Sequence, residues 1–100
     1  FEVLAGETER YDRTADSGNV IAMHFCAKCH TWLWNVPPAG GIKVVRAGSL
    51  DDLDWAAPVG DIWTDSKAAW VQLDPSHISF AKGAADRTPL FDAWNRSHRD

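Results

Sequence analysis

The sequence predicts a mainly β domain carrying one short C-terminal helix. Three observations lead there. Short apolar runs are separated by turn chemistry at Asp16-Ser17-Gly18-Asn19 and Pro37-Pro38-Ala39-Gly40-Gly41. Residues 31–36 alternate with the period of two that a strand imposes on its side chains. Only Thr88-Pro89 offers a helix start followed by apolar residues at helical spacing.

Taken in order, residues 1–4 read as a short strand ending at Ala5-Gly6, and residues 7–11 as a second with Tyr11 turned inward. Residues 20–25 run as a strand into Cys26, and residues 31–36 return from Cys29, so the two form a hairpin with the cysteines at its tip. On the returning strand Trp32, Trp34 and Val36 fall on one face, with Thr31 and Leu33 on the other. The Pro-Pro and Gly-Gly pairs end it, because proline cannot donate to a ladder. Residues 42–47 form the next strand, closed by Gly48. Residues 49–60 are irregular. Ile62-Trp63 and residues 70–73 are short pieces against a core, and residues 78–80 a final strand. Thr88 then caps a helix with Pro89 in its first turn, and Leu90, Phe91 and Trp94 share its apolar face.

One hundred residues make a single domain over 1–100. The chain begins at Phe1 inside a predicted strand and without an initiator methionine, so a domain lacking its N-terminal segment is expected. Net charge is −4, and the ten basic residues form no run. Nucleic-acid binding, which needs a concentrated cationic face, is therefore disfavoured. No apolar run approaches the roughly 18 residues of a membrane-spanning helix, so neither a signal peptide nor membrane association is expected. Two closely spaced cysteines suit a metal or redox pair in a reducing compartment, which makes cytoplasm the expected location.

The chemistry concentrates in His24-Phe25-Cys26-Ala27-Lys28-Cys29-His30. Two thiolates at Cys-x-x-Cys spacing on a turn between strands can form half of a tetrahedral zinc site, so Cys26 and Cys29 are the candidate metal ligands and zinc the candidate cofactor. Three other readings stay open. A thioredoxin-like pair normally sits where a strand enters a helix, and no helix follows Cys29. Cys-x-x-Cys-His matches a c-type haem attachment literally, without the helical pocket such a group needs. Two inert buried thiols are the bland reading.

His24 and His30 flank the ligands in an extended chain and point away from a shared metal, in supporting or solvent-facing positions. His77 and His98 read as surface residues. Asp51-Asp52-Leu53-Asp54 reads as a solvated turn in preference to a carboxylate cluster. A small β domain needs its six tryptophans as core, except that Trp63 and Trp70 fall in irregular segments and are candidates for partial exposure and ligand contact. There is no Ser/His/Asp triad, phosphate loop or Gly-rich nucleotide motif.

In their order and spacing, Gly6 to Tyr11, Phe25-Cys26-Ala27-Lys28-Cys29-His30-Thr31-Trp32-Leu33, Gly48-Ser49-Leu50-Asp51-Asp52, Ile62-Trp63-Thr64-Asp65-Ser66-Lys67 and Trp70 resemble the glutathione-dependent formaldehyde-activating enzyme family, whose relatives include centromere protein V. The resemblance covers about residues 1–73. It implies a twisted antiparallel β-tent fold with a zinc knuckle. It also implies a structural zinc held by an upstream Cys-x-Cys pair together with the pair matching Cys26 and Cys29. A second, labile zinc, bound by an upstream Cys-x-Cys-x-x-Cys motif, is associated with activity in the family. Both upstream motifs are expected before Phe1. The implied activity is a carbon–sulfur lyase, or its reverse, on the adduct of glutathione and formaldehyde, with a small-molecule thiol as partner. A homodimer is one assembly open to the chain, and no feature of the sequence selects it. The alternative is a non-catalytic zinc-stabilised binding module. Two residues depart from the family pattern. His30 stands where glycine usually relieves a positive φ, and Asp61 where a histidine often precedes Ile-Trp.

Overall fold

Residues 20–26, Val-Ile-Ala-Met-His-Phe-Cys, form a mostly apolar run up to the first cysteine, and in the computed structural model, which describes residues 1–98, they make the strand on which the N-terminal half is built. The chain divides into two compact units, Phe1–Ala56 and Ala57–Asp100. The first is a four-stranded antiparallel sheet of β1 (Thr8–Thr14), β2 (Val20–Cys26), β3 (Trp32–Val36) and β4 (Val44–Val45), adjacent in sequence order.

Each connection follows from its residues. The β1–β2 turn closes through the Gly18 N–H to the Ala15 carbonyl at 2.8 Å, with Gly18 at φ +86°. The β3–β4 turn closes through the Gly40 N–H to the Pro37 carbonyl at 2.9 Å. Gly40 and Gly41 both sit at positive φ (+67° and +79°), a pair of conformations that side chains rarely adopt.

Several sequence expectations change here. Residues 1–4 form no strand, although Phe1 packs edge-on against Trp34 with ring centroids 4.9 Å apart. The second expected strand is longer, Thr8–Thr14, and all of it is exposed; Tyr11 is 61% exposed, not inward, because β1 is a sheet edge with nothing packed on either face. The strand expected over residues 42–47 shortens to Val44–Val45.

The tryptophan faces also differ from strict alternation. In the β2–β3 register Phe25 lies opposite Trp32 and His24 opposite Trp34, so Leu33 is an extra residue at a bulge. One inserted residue reverses the parity of the strand. Trp34 therefore stacks on His24 (4.7 Å, 12°), while Trp32 turns to the other face against Phe25 at 6.1 Å. Arg46 covers Trp32, its guanidinium 3.9 Å from the ring centroid. Trp34 and Ala22 are the buried apolar residues among those described.

The second unit holds a two-stranded parallel pair, β5 (Gly60–Asp61) and β6 (Ile78–Ser79), and one helix, α1 (Thr88–Ser97). The parallel pairing departs from the all-antiparallel expectation, and β5 lies inside the stretch expected to be irregular. Gly60 allows close packing in this unit, since a Cβ there would meet both the Leu90 side chain of α1 and the Ile78 carbonyl. The helix begins at Thr88 with Arg87, not Thr88, in the capping position. The Asp86 carboxylate does the capping chemistry instead, accepting the Thr88 N–H at 2.9 Å. That bond, and then the Thr88 side-chain contact, holds Asp86 below the usual carboxylate range. On α1 the half-buried face is Leu90, Ala93 and Trp94, and Phe91 is exposed. Residues 70–73 form no strand, and Trp70 is 83% exposed.

Candidate metal and ligand site

The hairpin tip between β2 and β3 is a tight turn fixed at both ends by backbone. The Cys26 N–H donates to the Thr31 carbonyl and the His30 N–H to the Cys26 carbonyl, each at 2.8 Å. The Ala27 N–H donates to the Glu7 carbonyl at 3.1 Å, which ties the turn to the start of β1. Inside it the Cys29 N–H points at Cys26 Sγ, 3.5 Å away.

Both cysteines are free thiols, Cys26 half-buried and Cys29 exposed. The Thr31 hydroxyl lies 3.2 Å from Cys29 Sγ. Hydrogen bonding from the Thr31 side chain, then its backbone, then Cys26 holds the Cys29 thiol below its ordinary value, against a smaller opposing effect of burial. The turn thus presents two sulfurs from one short loop, and thiolate sulfur is the donor chemistry of a soft or borderline metal. They fit half of a tetrahedral site. Among the described residues no group of three or more His, Cys, Asp or Glu side chains is placed to hold a metal ion.

His30 occupies the left-handed region at φ +64°, the conformation for which glycine would be the easy choice. The departure noted at this position in the sequence is therefore a real backbone demand. His30→Gly should raise the melting temperature by about 2–4 °C, since relief of left-handed strain outweighs the added unfolded-state entropy of glycine. His30→Val, β-branched, should lower it. The exposed contact of His30 with Glu9 at 3.7 Å contributes little to either comparison. A melting order other than Gly above His above Val contradicts the strain assignment.

A groove of about 940 Å³ opens beside the turn within the first unit. Cys26 lines it together with Leu33, Trp34, Val45, Asp51 and the N-terminal segment from Phe1. The volume lies in the range of small-molecule sites. Trp34, on its wall, has its indole N–H buried with no acceptor among the described residues. A buried donor left unpaired is costly, and a bound ligand's oxygen is one way of satisfying it. Asp51 reaches the groove, whereas Asp52 accepts the Asp54 N–H at 3.0 Å in the exposed turn expected from the sequence. Sequence reasoning gave no role to Phe1, Leu33 or Asp51 here, because no spacing rule places residues so far apart on one wall.

In the second unit His77 is not a surface residue. Its side chain is 15% exposed, and Nδ1 lies 3.0 Å from Asp61 Oδ2 while Nε2 lies 3.7 Å from Asp74 Oδ2. Asp61, the other departure from the family pattern, thus has a histidine partner 16 residues away. Asp74 is held below the usual carboxylate range by the Ser76 backbone N–H, then by the Ser76 hydroxyl, with His77 adding a smaller effect. Trp63 is 53% exposed, in keeping with its irregular segment, and takes a left-handed φ of +57°. Its N–H donates to the Lys82 carbonyl at 3.0 Å and its ring would meet any side chain placed at Gly83.

Among the described residues no helix is long and apolar enough to cross a membrane. No characterised protein and no solved structure gives a match to this chain. The profile of one family, described as glutathione-dependent formaldehyde-activating enzyme, matches residues 1–66. That stretch contains the cysteine turn, the four-stranded sheet and every residue lining the groove. With two-thirds of its length matched, including its whole first unit, the chain belongs to the glutathione-dependent formaldehyde-activating enzyme family.

Proposed function

We propose that the protein is a zinc-dependent carbon–sulfur lyase acting on glutathione–formaldehyde adducts, with Cys26 and Cys29 as two of its metal ligands and the β2–β3 turn as a zinc knuckle in a β-tent fold. The observation that carries this reading is the pair of free cysteines on one turn beside a ligand-sized groove, in a member of this family. In the breakdown direction the carbon–sulfur bond of S-hydroxymethylglutathione breaks, the hydroxyl loses its proton to leave formaldehyde, and the sulfur regains a proton as free thiol. Formation is the reverse. A zinc ion, with Cys26 and Cys29 among its ligands, would supply charge that acidifies a thiol.

The chain's own residues bind and orient. Leu33, Trp34 and Val45 give the groove an apolar wall. Cys26 and Cys29 fix the turn. A cytoplasmic location belongs to the same proposal, supported by the reduced cysteines.

The test is the loss of formaldehyde in the presence of glutathione, measured on zinc-loaded protein. A rate above the spontaneous reaction is expected; no acceleration at saturating zinc removes the lyase assignment. The second reading is a zinc-stabilised binding module without catalysis, in which exposed tryptophans such as Trp63 and Trp70 contact a partner. Elemental analysis separates the two. Two zinc ions per chain support the lyase, one supports the module, and none removes the metal from both.

A further inference from the structure

The edge of the sheet carries a feature that the groove and the cysteines do not use. β1 reads Thr8-Glu9-Arg10-Tyr11-Asp12-Arg13-Thr14, is the terminal strand of its sheet, and is exposed at all seven positions. Read about Tyr11, the strand is self-complementary in charge. Thr8 mirrors Thr14, Glu9 mirrors Arg13, and Arg10 mirrors Asp12.

The backbone has matching parity. Bonds from the Ala27 N–H to the Glu7 carbonyl and from the Ala15 N–H to the Asn19 carbonyl bracket β1 and fall on the β1–β2 register. In an antiparallel ladder hydrogen-bonded pairs alternate, so the odd-numbered residues of β1 bond to β2. The N–H and C=O groups of Thr8, Arg10, Asp12 and Thr14 therefore point to the free edge.

We propose that β1 docks antiparallel against β1 of a second copy of this chain, on a two-fold axis through Tyr11, to join two four-stranded sheets into one. In that register the outward backbone groups of Arg10 meet those of Asp12 of the other copy, and Thr8 meets Thr14. Tyr11 faces Tyr11 at a non-hydrogen-bonded position, where side chains approach most closely. Every charge then lies opposite its opposite. Arg10 and Asp12, already 2.6 Å apart within one strand, become a four-membered cluster of alternating sign. Arg13, which forms no ion pair among the described residues, gains Glu9.

Charges on an edge strand ordinarily prevent indiscriminate pairing. Here they also select one register. Slipping by two residues, the smallest shift that keeps backbone parity, brings Arg10 opposite Arg10 or Asp12 opposite Asp12. A single seven-residue ladder buries less than the roughly 1,600 Å² of a standard stable interface, so the dimer is concentration-dependent and weakens with salt.

The test is sedimentation equilibrium of the full chain at low salt, over a concentration series. Wild type should dimerise reversibly. Arg10→Asp and Asp12→Arg each place like charges opposite one another in the self-pair and should weaken self-association by roughly tenfold or more. An equimolar mixture of the two variants should regain wild-type association, because each then meets its opposite across the axis. That rescue also shows that both variants fold. Wild type that stays monomeric at about 1 mM, or variants that associate as wild type does, or a mixture without rescue, overturns the proposal.

Discussion

Cys26→Ser is expected to lower the melting temperature of the zinc-loaded protein by more than about 10 °C and to abolish zinc retention. Binding at sites of this kind is folding free energy, several kcal/mol or more, and for a domain of this size about 1 kcal/mol moves the midpoint by roughly 4–8 °C. Apart from its backbone hydrogen bonds, the turn is held by the contacts its two cysteines make. Cys29 is exposed, and its interactions are with Thr31 and Cys26 of the same turn. A chelator should bring wild type down to the level of the serine variant and leave that variant where it is. Equal melting of wild type and Cys26→Ser, with or without chelator, would show that the cysteines carry no structural metal. The formaldehyde assay is separate, so loss of the metal and loss of the activity can be told apart.

Trp34→Ala should be comparably damaging for a different reason. Trp34 is 8% exposed, and it joins β2, β3 and the N-terminal segment through contacts with His24 and Phe1. Removing a buried tryptophan costs about 3–5 kcal/mol, a large part of the 5–15 kcal/mol that holds a domain together. A fall of more than about 10 °C in the melting temperature is expected, with loss of near-ultraviolet circular dichroism. Trp34→Phe should be much milder, since it keeps an aromatic ring and removes an indole N–H that has no acceptor. If alanine and phenylalanine melt within about 3 °C of each other, Trp34 is not the packing centre of the sheet.

The hairpin around the cysteines was legible in the sequence because its signals are local. Alternation, a Cys-x-x-Cys turn and a Pro-Pro/Gly-Gly break all lie within 22 residues of one another, and the observed β2 and β3 follow them. The positive φ at His30 was equally legible, as a departure from a family position where glycine is usual. Helix α1 was placed by Thr88-Pro89 to within one residue at its start. What failed did so for identifiable reasons. The bulge at Leu33 reversed the faces of Trp32 and Trp34, and nothing in an alternating sequence marks where one residue will be left out of the ladder. Strand pattern points Tyr11 inward, but an edge strand has no layer to turn towards. His77 looked like a surface residue because its partner Asp61 is distant in sequence.

The mainly β class, the β2–β3 hairpin and the two thiols at its tip can be read from the chain alone, because each depends on backbone propensity or on spacing within a few residues. The family follows from an ordered set of short motifs. Which strand is an edge, which tryptophan is buried and which residues share a groove with Cys26 emerge only on folding. Those outcomes depend on register and on contacts between residues far apart in the chain. A one-residue shift in pairing exchanges the two faces of a strand at little local cost, so the choice is made by packing of the whole sheet.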